Sequence, residues 1–357
     1  MTEIDATPTQ QRRRWAADWR VWLGVAITVA CLWYVAEGVP LAEVAAAFAR
    51  ADIWLLVGVS VPAHVLGIYV RALRWRHLTN PIAPMTRGLL YRAQSIGFLV
   101  NNLVPLRMGE FVRAWFLARE SQTRGAAVLG TIVLERTLDI VSVLLMAGVS
   151  VAVLGATAGD GQLVRGAQLM LLGALVPVAG IAALRFAPAS VLRVVGWVTR
   201  PLPDRIVELV GGNLERFTQG LGAISGGAHL FWIAMHSVVI WLILGVLPMI
   251  SGIVAFGIDL GGPGRLLMTS WLLLAAVGVA VAIPSAPGFF GTYQLAFVAV
   301  LEPLGVNRAT CLALGLLVWF VFWCSFTFQG LIVMRLGGTS LAELTAVSSK
   351  DPTTDRR

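Results

Sequence analysis

A chain of 357 residues that is 57% hydrophobic and only 13% charged, with mean hydropathy +0.80, carries about half the charge of a soluble domain of its size. That composition excludes a soluble globular enzyme and predicts an all-α polytopic membrane protein, since several apolar runs reach the ~20 residues a spanning helix needs. The net charge of +8 does not imply a nucleic-acid partner, because the basic residues sit beside apolar runs, as cytoplasmic flanks do.

Residues 1–20 read as a cytoplasmic basic tail in which Arg12, Arg13, Arg14 and Arg20 alternate with Trp15 and Trp19 as an interfacial anchor. The first span is predicted at 21–36. It is long for a signal peptide, and Glu37-Gly38-Val39-Pro40 makes a poor cleavage site. Residues 37–52, with Glu37, Glu43, Arg50 and Asp52, are expected to face outward. A second span at 53–70 holds Pro62 and His64, the histidine reading as a packing group or a proton carrier. Arg71, Arg74, Arg76, His77, Arg87 and Arg92 then read as a dense cytoplasmic loop.

The stretch from Asn101 to Arg113 organises the chain. Pro105 stops an apolar run, and Asn101, Asn102, Arg107, Gly109, Glu110 and Arg113 follow one another within hydrocarbon reach. A full crossing here would put Arg107, Arg113, Arg119 and Arg124 outside, against the positive-inside rule. A re-entrant hairpin keeps them inside. Spans are expected next at 126–154 and 164–184, joined by a short outer loop around Asp160. Ile206, Val207, Leu209, Val210, Leu214 and Phe217 recur near helical spacing and predict an amphipathic helix on the inner surface. A span at 230–256 runs outward and an outer loop surrounds Asp259. Residues 266–283 then descend, break at 284–291 and climb back over 293–301. Residues 309–334 form the last span, and 337–357 a disordered cytoplasmic tail.

The expected fold is therefore one integral membrane unit over 21–336, with about six full transmembrane helices and two re-entrant hairpins. Both termini are cytoplasmic, in an inner or plasma membrane. The hairpins enter from opposite sides, so the two halves form an inverted repeat. Pro105 to Gly109 and Pro287 to Gly291 share the pattern Pro-x-x-x-Gly. Such repeats with broken helices at their interface are a recurring transporter design.

Several groups could bind a substrate. A helix broken inside the membrane aims backbone N–H donors at one spot, which suits phosphate or carboxylate. Arg107 and Arg113 could add bidentate contacts, with Glu110 as a balancing charge, an acceptor of a proton or a holder of an amine headgroup. The second break offers Pro287, Gly288, Gly291, Tyr293 and Gln294. Within the third span, Glu135, Arg136 and Asp139 share a face and either meet a polar interior or weld helices together. His229 and His236 lack a third ligand, and Cys31, Cys311 and Cys324 have no metal-ligand spacing. Trp319 and Trp323, four apart, are candidates to line a lipid groove. No nucleophile–base set or Walker loop is present, so neither catalytic residue, cofactor nor metal is expected.

At these motifs the chain resembles the flippase-like family typified by the membrane region of lysylphosphatidylglycerol synthase/flippase, whose relatives include proteins linked to hopanoid transport. The matching elements are Arg71-Ala72-Leu73-Arg74-Trp75, then Asn102, Pro105, Arg107, Gly109, Glu110 and Arg113, then Glu135, Arg136 and Asp139, then Pro284, Pro287, Gly288 and Gly291. Gln294 stands where relatives often carry Glu or His, and Trp319 where a polar or basic residue is expected. The resemblance implies a lipid translocator without its own ATPase, moving an anionic or zwitterionic amphiphile (phospholipid, polyisoprenoid-linked lipid or hopanoid) between leaflets. It does not imply lipid aminoacylation. The rival expectations are an integral membrane transferase acting on lipid and a non-catalytic partner of envelope-biosynthesis enzymes. A homo-oligomer is also open.

Overall fold

The computed structural model describes residues 19–104, 108–159, 161–199, 227–283 and 285–338, and among these every regular element is helical. The amphipathic helix expected over 206–217 and both tails lie outside the described residues, as do Pro105, Arg107, Asp160 and Pro284. The elements are α1 (Trp19–Ala36), α2 (Leu41–Arg50), α3 (Ile53–Thr79), α4 (Arg87–Leu103), α5 (Gly109–Ser121), α6 (Gly125–Ala158), α7 (Gly161–Phe186) and α8 (Pro188–Thr199). After them come α9 (Gly227–Val238), a π-helical turn (Val239–Leu244), α10 (Leu247–Ala255), α11 (Pro263–Ala282), a 3₁₀ turn (Pro287–Phe289), α12 (Thr292–Leu301) and α13 (Arg308–Leu336).

The protein is a multi-pass integral membrane protein. Among the described residues, five helices are long and apolar enough to cross a membrane, and the bent pair α1–α2 makes six if counted as one span. Their outer faces stay apolar where no protein covers them: Trp33 is 73% exposed and Phe328 59%. The roster departs from the sequence expectation in several places. Residues 37–52, expected only to face outward, contain a helix. An Ala-rich stretch folds there as α2, bent 82° from α1, with Val44 and Ala47 buried. α7 forms as a 26-residue helix packed along α6 but is not among the five, whereas α11, expected as a mere hairpin limb, is. The span at 230–256 is interrupted by the π-helical turn.

Local chemistry explains the ends. Asp52 accepts the Leu55 N–H to start α3, Thr86 that of Leu89 to start α4, and Asn307 those of Ala309 and Thr310 to start α13. Val104 and Ile283 each precede a proline and take extended backbone, which stops α4 and α11. α4 and α5 therefore fold as one hairpin, α11 and α12 as a second.

Two apolar clusters support the two hairpins. Trp75, Ile96, Leu117 and Val128 belong to the first, and Leu273, Phe297, Leu301 and Leu314 to the second. The halves run in opposite directions. The Asp52 N–H donates to the Ala255 carbonyl, so α3 begins where α10 ends. Arg92 of α4 donates to the Gly337 carbonyl just past α13, and Arg308 at the other end of α13 donates to the Tyr34 carbonyl. The sequence α3, hairpin, α6 is thus matched by α9–α10, hairpin, α13 with the ends exchanged.

Candidate functional site

A cavity of about 730 Å³ lies between the two hairpins. One end is ionic, with Arg71, Gln94, Asn101, Glu110, Arg113, Arg136 and Asp139 on its wall. The rest is apolar, formed by side chains such as Ile140, Val143, Leu144, Val277, Phe289 and Phe322. Phe111, Ile140 and Val279 line it and are also 53–59% exposed on the outer surface, so the cavity reaches the lipid-facing side of the protein.

The ionic end is a lattice around two buried carboxylates one helical turn apart on α6. Asp139 accepts from Arg74 Nη2 at 2.8 Å, Trp241 Nε1 at 2.9 Å and Arg71 Nη1 at 3.3 Å, and pairs with Arg136 at 3.5 Å. Glu135 accepts from Arg136 at 3.0 Å, Gln94 Nε2 at 3.2 Å and Arg113 Nη1 at 3.3 Å, with Arg74 at 3.8 Å. Arg113 also donates to Gln94 Oε1, and its guanidinium lies 4.5 Å from the centre of the Trp75 ring. Glu135 and Arg74 are completely buried, and Arg113 is 3% exposed. Charges this deep persist only when paired and hydrogen-bonded. α3, α4, α5, α6 and the π-helical turn each contribute to the lattice.

This placement corrects the sequence reading of Arg71 and Arg74. They do not belong to a cytoplasmic loop. α3 continues to Thr79, and the two arginines, one turn apart, point at Asp139 from its last third. Gln94 and Trp241 were not anticipated. An isolated amide inside the apolar face of α4 is a signal that could have found Gln94. Trp241 depends on the π-helical turn, which offsets the helix register at a site and which the apolar run 230–256 does not announce.

Several residues of the second break make structural contacts. Gln294 Oε1 accepts the Gly291 N–H at 2.7 Å and caps α12. Gly288 (φ +71°) and Gly291 (φ +89°) hold backbone that a side chain would strain, and Gly291 also lies against Thr28 of α1. Phe289, on the cavity wall, takes a φ of +63°, uncommon for an aromatic residue. Trp319 Nε1 donates to the Gly288 carbonyl at 2.7 Å. Trp323 Nε1 reaches the Asn102 carbonyl at 3.4 Å, while Asn102 Nδ2 donates to the Trp323 carbonyl and to Thr327 Oγ1. Trp319 and Trp323 thus tie α13 to the two breaks. They lie near the middle of α13, ~16 Å and ~22 Å along it from Arg308, so the two breaks meet near the mid-height of that helix.

Of the residues expected at a site, Asn101, Gly109, Glu110, Arg113, Arg136, Asp139 and Tyr293 line the cavity. Asn102, Glu135, Pro287, Gly288, Gly291 and Gln294 stand behind its wall. Pro105 and Arg107 lie outside the described residues. Asn101 Oδ1 takes the Gly109 N–H at 2.8 Å, as Gln294 Oε1 takes that of Gly291, so one N–H at each half-helix end is held by its own hairpin. The arginines are what the ionic end offers. Among the described residues no three His, Cys, Asp or Glu side chains are grouped to hold a metal.

Comparison with known proteins fits this architecture. The chain is 27% identical over 234 residues to "Glycosyltransferase AglD" of Haloferax volcanii, a match covering 58% of this chain and 37% of that protein. The chain therefore spans little more than a third of that relative's length. No solved structure matches. Residues 21–329 match the model of the "Lysylphosphatidylglycerol synthase TM region", and the chain belongs to that family.

Proposed function

We propose that the protein moves an amphiphilic lipid between the two leaflets of its membrane. One observation carries this reading: the cavity joins a buried ionic end, built largely on the first hairpin, to apolar walls drawn from both halves and open to the lipid-facing surface. That is the shape of a headgroup site with a tail path. A buried ionic cluster away from such a cavity would serve packing alone. Here Arg71, Arg113, Arg136 and Asp139 both pair and line the space. The breaks joined near the mid-height of α13 and the exchanged ends of the halves support rocking of one half against the other.

The test is transport by purified protein in vesicles carrying labelled phospholipid in one leaflet. Arg113→Gln and Arg71→Gln are expected to lower the protein-dependent rate at least tenfold while insertion and purification yield stay normal. Wild-type rates in both variants would sink the reading.

For orientation, the end of α3 and α13 carries Arg76, Arg87, Arg92, Arg119, Arg124 and Arg335, and we place it in the cytoplasm. In a chain freed of its native cysteines, cysteines at Arg119 and Glu302 are expected to label from opposite faces of the cell. Labelling from one face would contradict the opposed hairpins.

A second reading has one observation behind it, the glycosyltransferase name of the relative. In that case the cavity presents lipid to a transfer reaction. The paired state of Glu135 and Asp139 weighs against these acids as a base or metal ligands, since all four oxygens already accept from protein donors. Covalently altered lipid after incubation with labelled sugar donors would favour this second reading.

A further inference from the structure

The lipid reading leaves the headgroup open, and the donors of one arginine narrow it. We infer that the cavity takes a phosphate-bearing headgroup of net negative charge, held on the outer edge of Arg113, and discriminates against cationic headgroups. This inference rests on the lipid reading for the presence of a tail, but its test does not require transport.

Charge is the first argument. Arg71, Arg74, Arg113 and Arg136 surround Glu135 and Asp139, and Glu110 is the third acid at the cavity. Among the described residues, four guanidiniums face three carboxylates, a surplus of one positive charge, with Arg74 and Arg113 buried. An uncompensated buried charge is costly, so the resting partner of this site is an anion.

Geometry is the second. Arg113 uses Nη1 for Gln94 and Glu135. Its Nε and Nη2 are buried and donate to no partner. These two N–H groups form one edge of the guanidinium and point the same way. A parallel pair of donors on a fixed fork matches two oxygens of a phosphate. Arg113 lines the cavity, so this edge belongs to a side chain that a headgroup can reach.

The acceptors are the third. An ammonium needs carboxylate or carbonyl oxygens. Glu135 gives Oε1 to Arg113 and Arg136 and Oε2 to Gln94. Asp139 gives Oδ1 to Arg74 and Trp241 and Oδ2 to Arg71, with Arg136 also in pairing range. Every oxygen of these two central acids already accepts from an arginine, Gln94 or Trp241, so an incoming amine finds no free oxygen on them and meets the guanidiniums around them.

The test is competition for labelled phosphatidate bound to the purified full-length protein in detergent. Unlabelled lipids with matched acyl chains are the competitors. Phosphatidate and phosphatidylglycerol are expected to displace the label. Phosphatidylcholine and lysylphosphatidylglycerol should require at least tenfold higher concentration. Inorganic phosphate should also fall at least tenfold short, which distinguishes a lipid headgroup from a free ion. Arg113→Gln and Arg113→Lys should each weaken phosphatidate binding at least tenfold, because lysine keeps the charge but not the fork. Equal competition by lysylphosphatidylglycerol overturns the inference, as does equal competition by inorganic phosphate or an absence of phosphatidate binding. The wild-type panel decides the question even if the variants do not fold. Phosphatidate that binds but never crosses a vesicle leaves this assignment standing and removes the transport reading.

Discussion

Asp139→Ala is expected to destabilise the protein by about 3–5 kcal/mol, the range for removing one partner from a buried ionic lattice. Asp139 is where α3, α6 and the π-helical turn meet, through Arg71, Arg74 and Trp241. Its loss leaves Arg74, completely buried, with the Ser237 hydroxyl and a Glu135 oxygen 3.8 Å away. It also leaves the indole N–H of Trp241 without its acceptor. Thermal unfolding in detergent should show a Tm lower by roughly 5–10 °C, together with poor yield. Asp139→Asn keeps the volume and one acceptor oxygen and should lose less. The informative variant is the double one. If the damage comes from stranded charge and not from the small void, adding Arg74→Met to Asp139→Ala restores part of the lost stability. A Tm unchanged in Asp139→Ala would mean that water already screens the lattice.

Much of the fold was legible because polar residues are costly in an apolar run. The prolines at 105 and 284 forced extended backbone on Val104 and Ile283, and the hairpins follow. The spacing of Glu135, Arg136 and Asp139 gave their shared face directly. What misled was charge density. Arg71 and Arg74 looked like the exit of a helix into water, because their partner Asp139 lies 68 and 65 positions away in sequence. Nothing local distinguishes a buried arginine with a distant acid from a solvated one. The charges of the segment with Glu43 and Arg50 speak only to its side of the membrane and leave α2 unassigned, although its composition favours a helix. Gln294 and Trp319 looked like departures from a binding pattern. Both bind backbone instead, one the α12 N–H end and the other the Gly288 carbonyl. Sequence marks where a break falls. It does not say whether the exposed groups are left for a ligand or taken by the protein's own side chains.

Gly109→Ala is expected to undo the first hairpin, although the change adds a single methyl group. α4 and α5 cross where Gly97 meets Gly109. A Cβ at 109 would stand 2.5 Å from Asn101 Oδ1 and closer still to the Gly97 carbonyl oxygen. Neither neighbour can retreat cheaply. The carbonyl belongs to the α4 backbone, and Asn101 Oδ1 holds the Gly109 N–H that starts α5. A new Cβ therefore pushes the helices apart and breaks the cap together, so the cost should exceed the usual 1–3 kcal/mol of overpacking. Arg113 lies one turn further along α5, with its Cβ and Cδ already against Gly97, so displacing α5 also draws Arg113 away from Glu135 and Gln94. Both stability and lipid transport should fall. Gly58→Ala is the matched control. It sits in α3 with open space where its Cβ would go, and should be neutral or stabilise by up to ~1 kcal/mol through helix propensity. If Gly109→Ala unfolds at the same temperature as Gly58→Ala and transports at the wild-type rate, the close crossing does not hold the arginine lattice in place, and the ionic end of the cavity must be fixed from α3 and α6 alone.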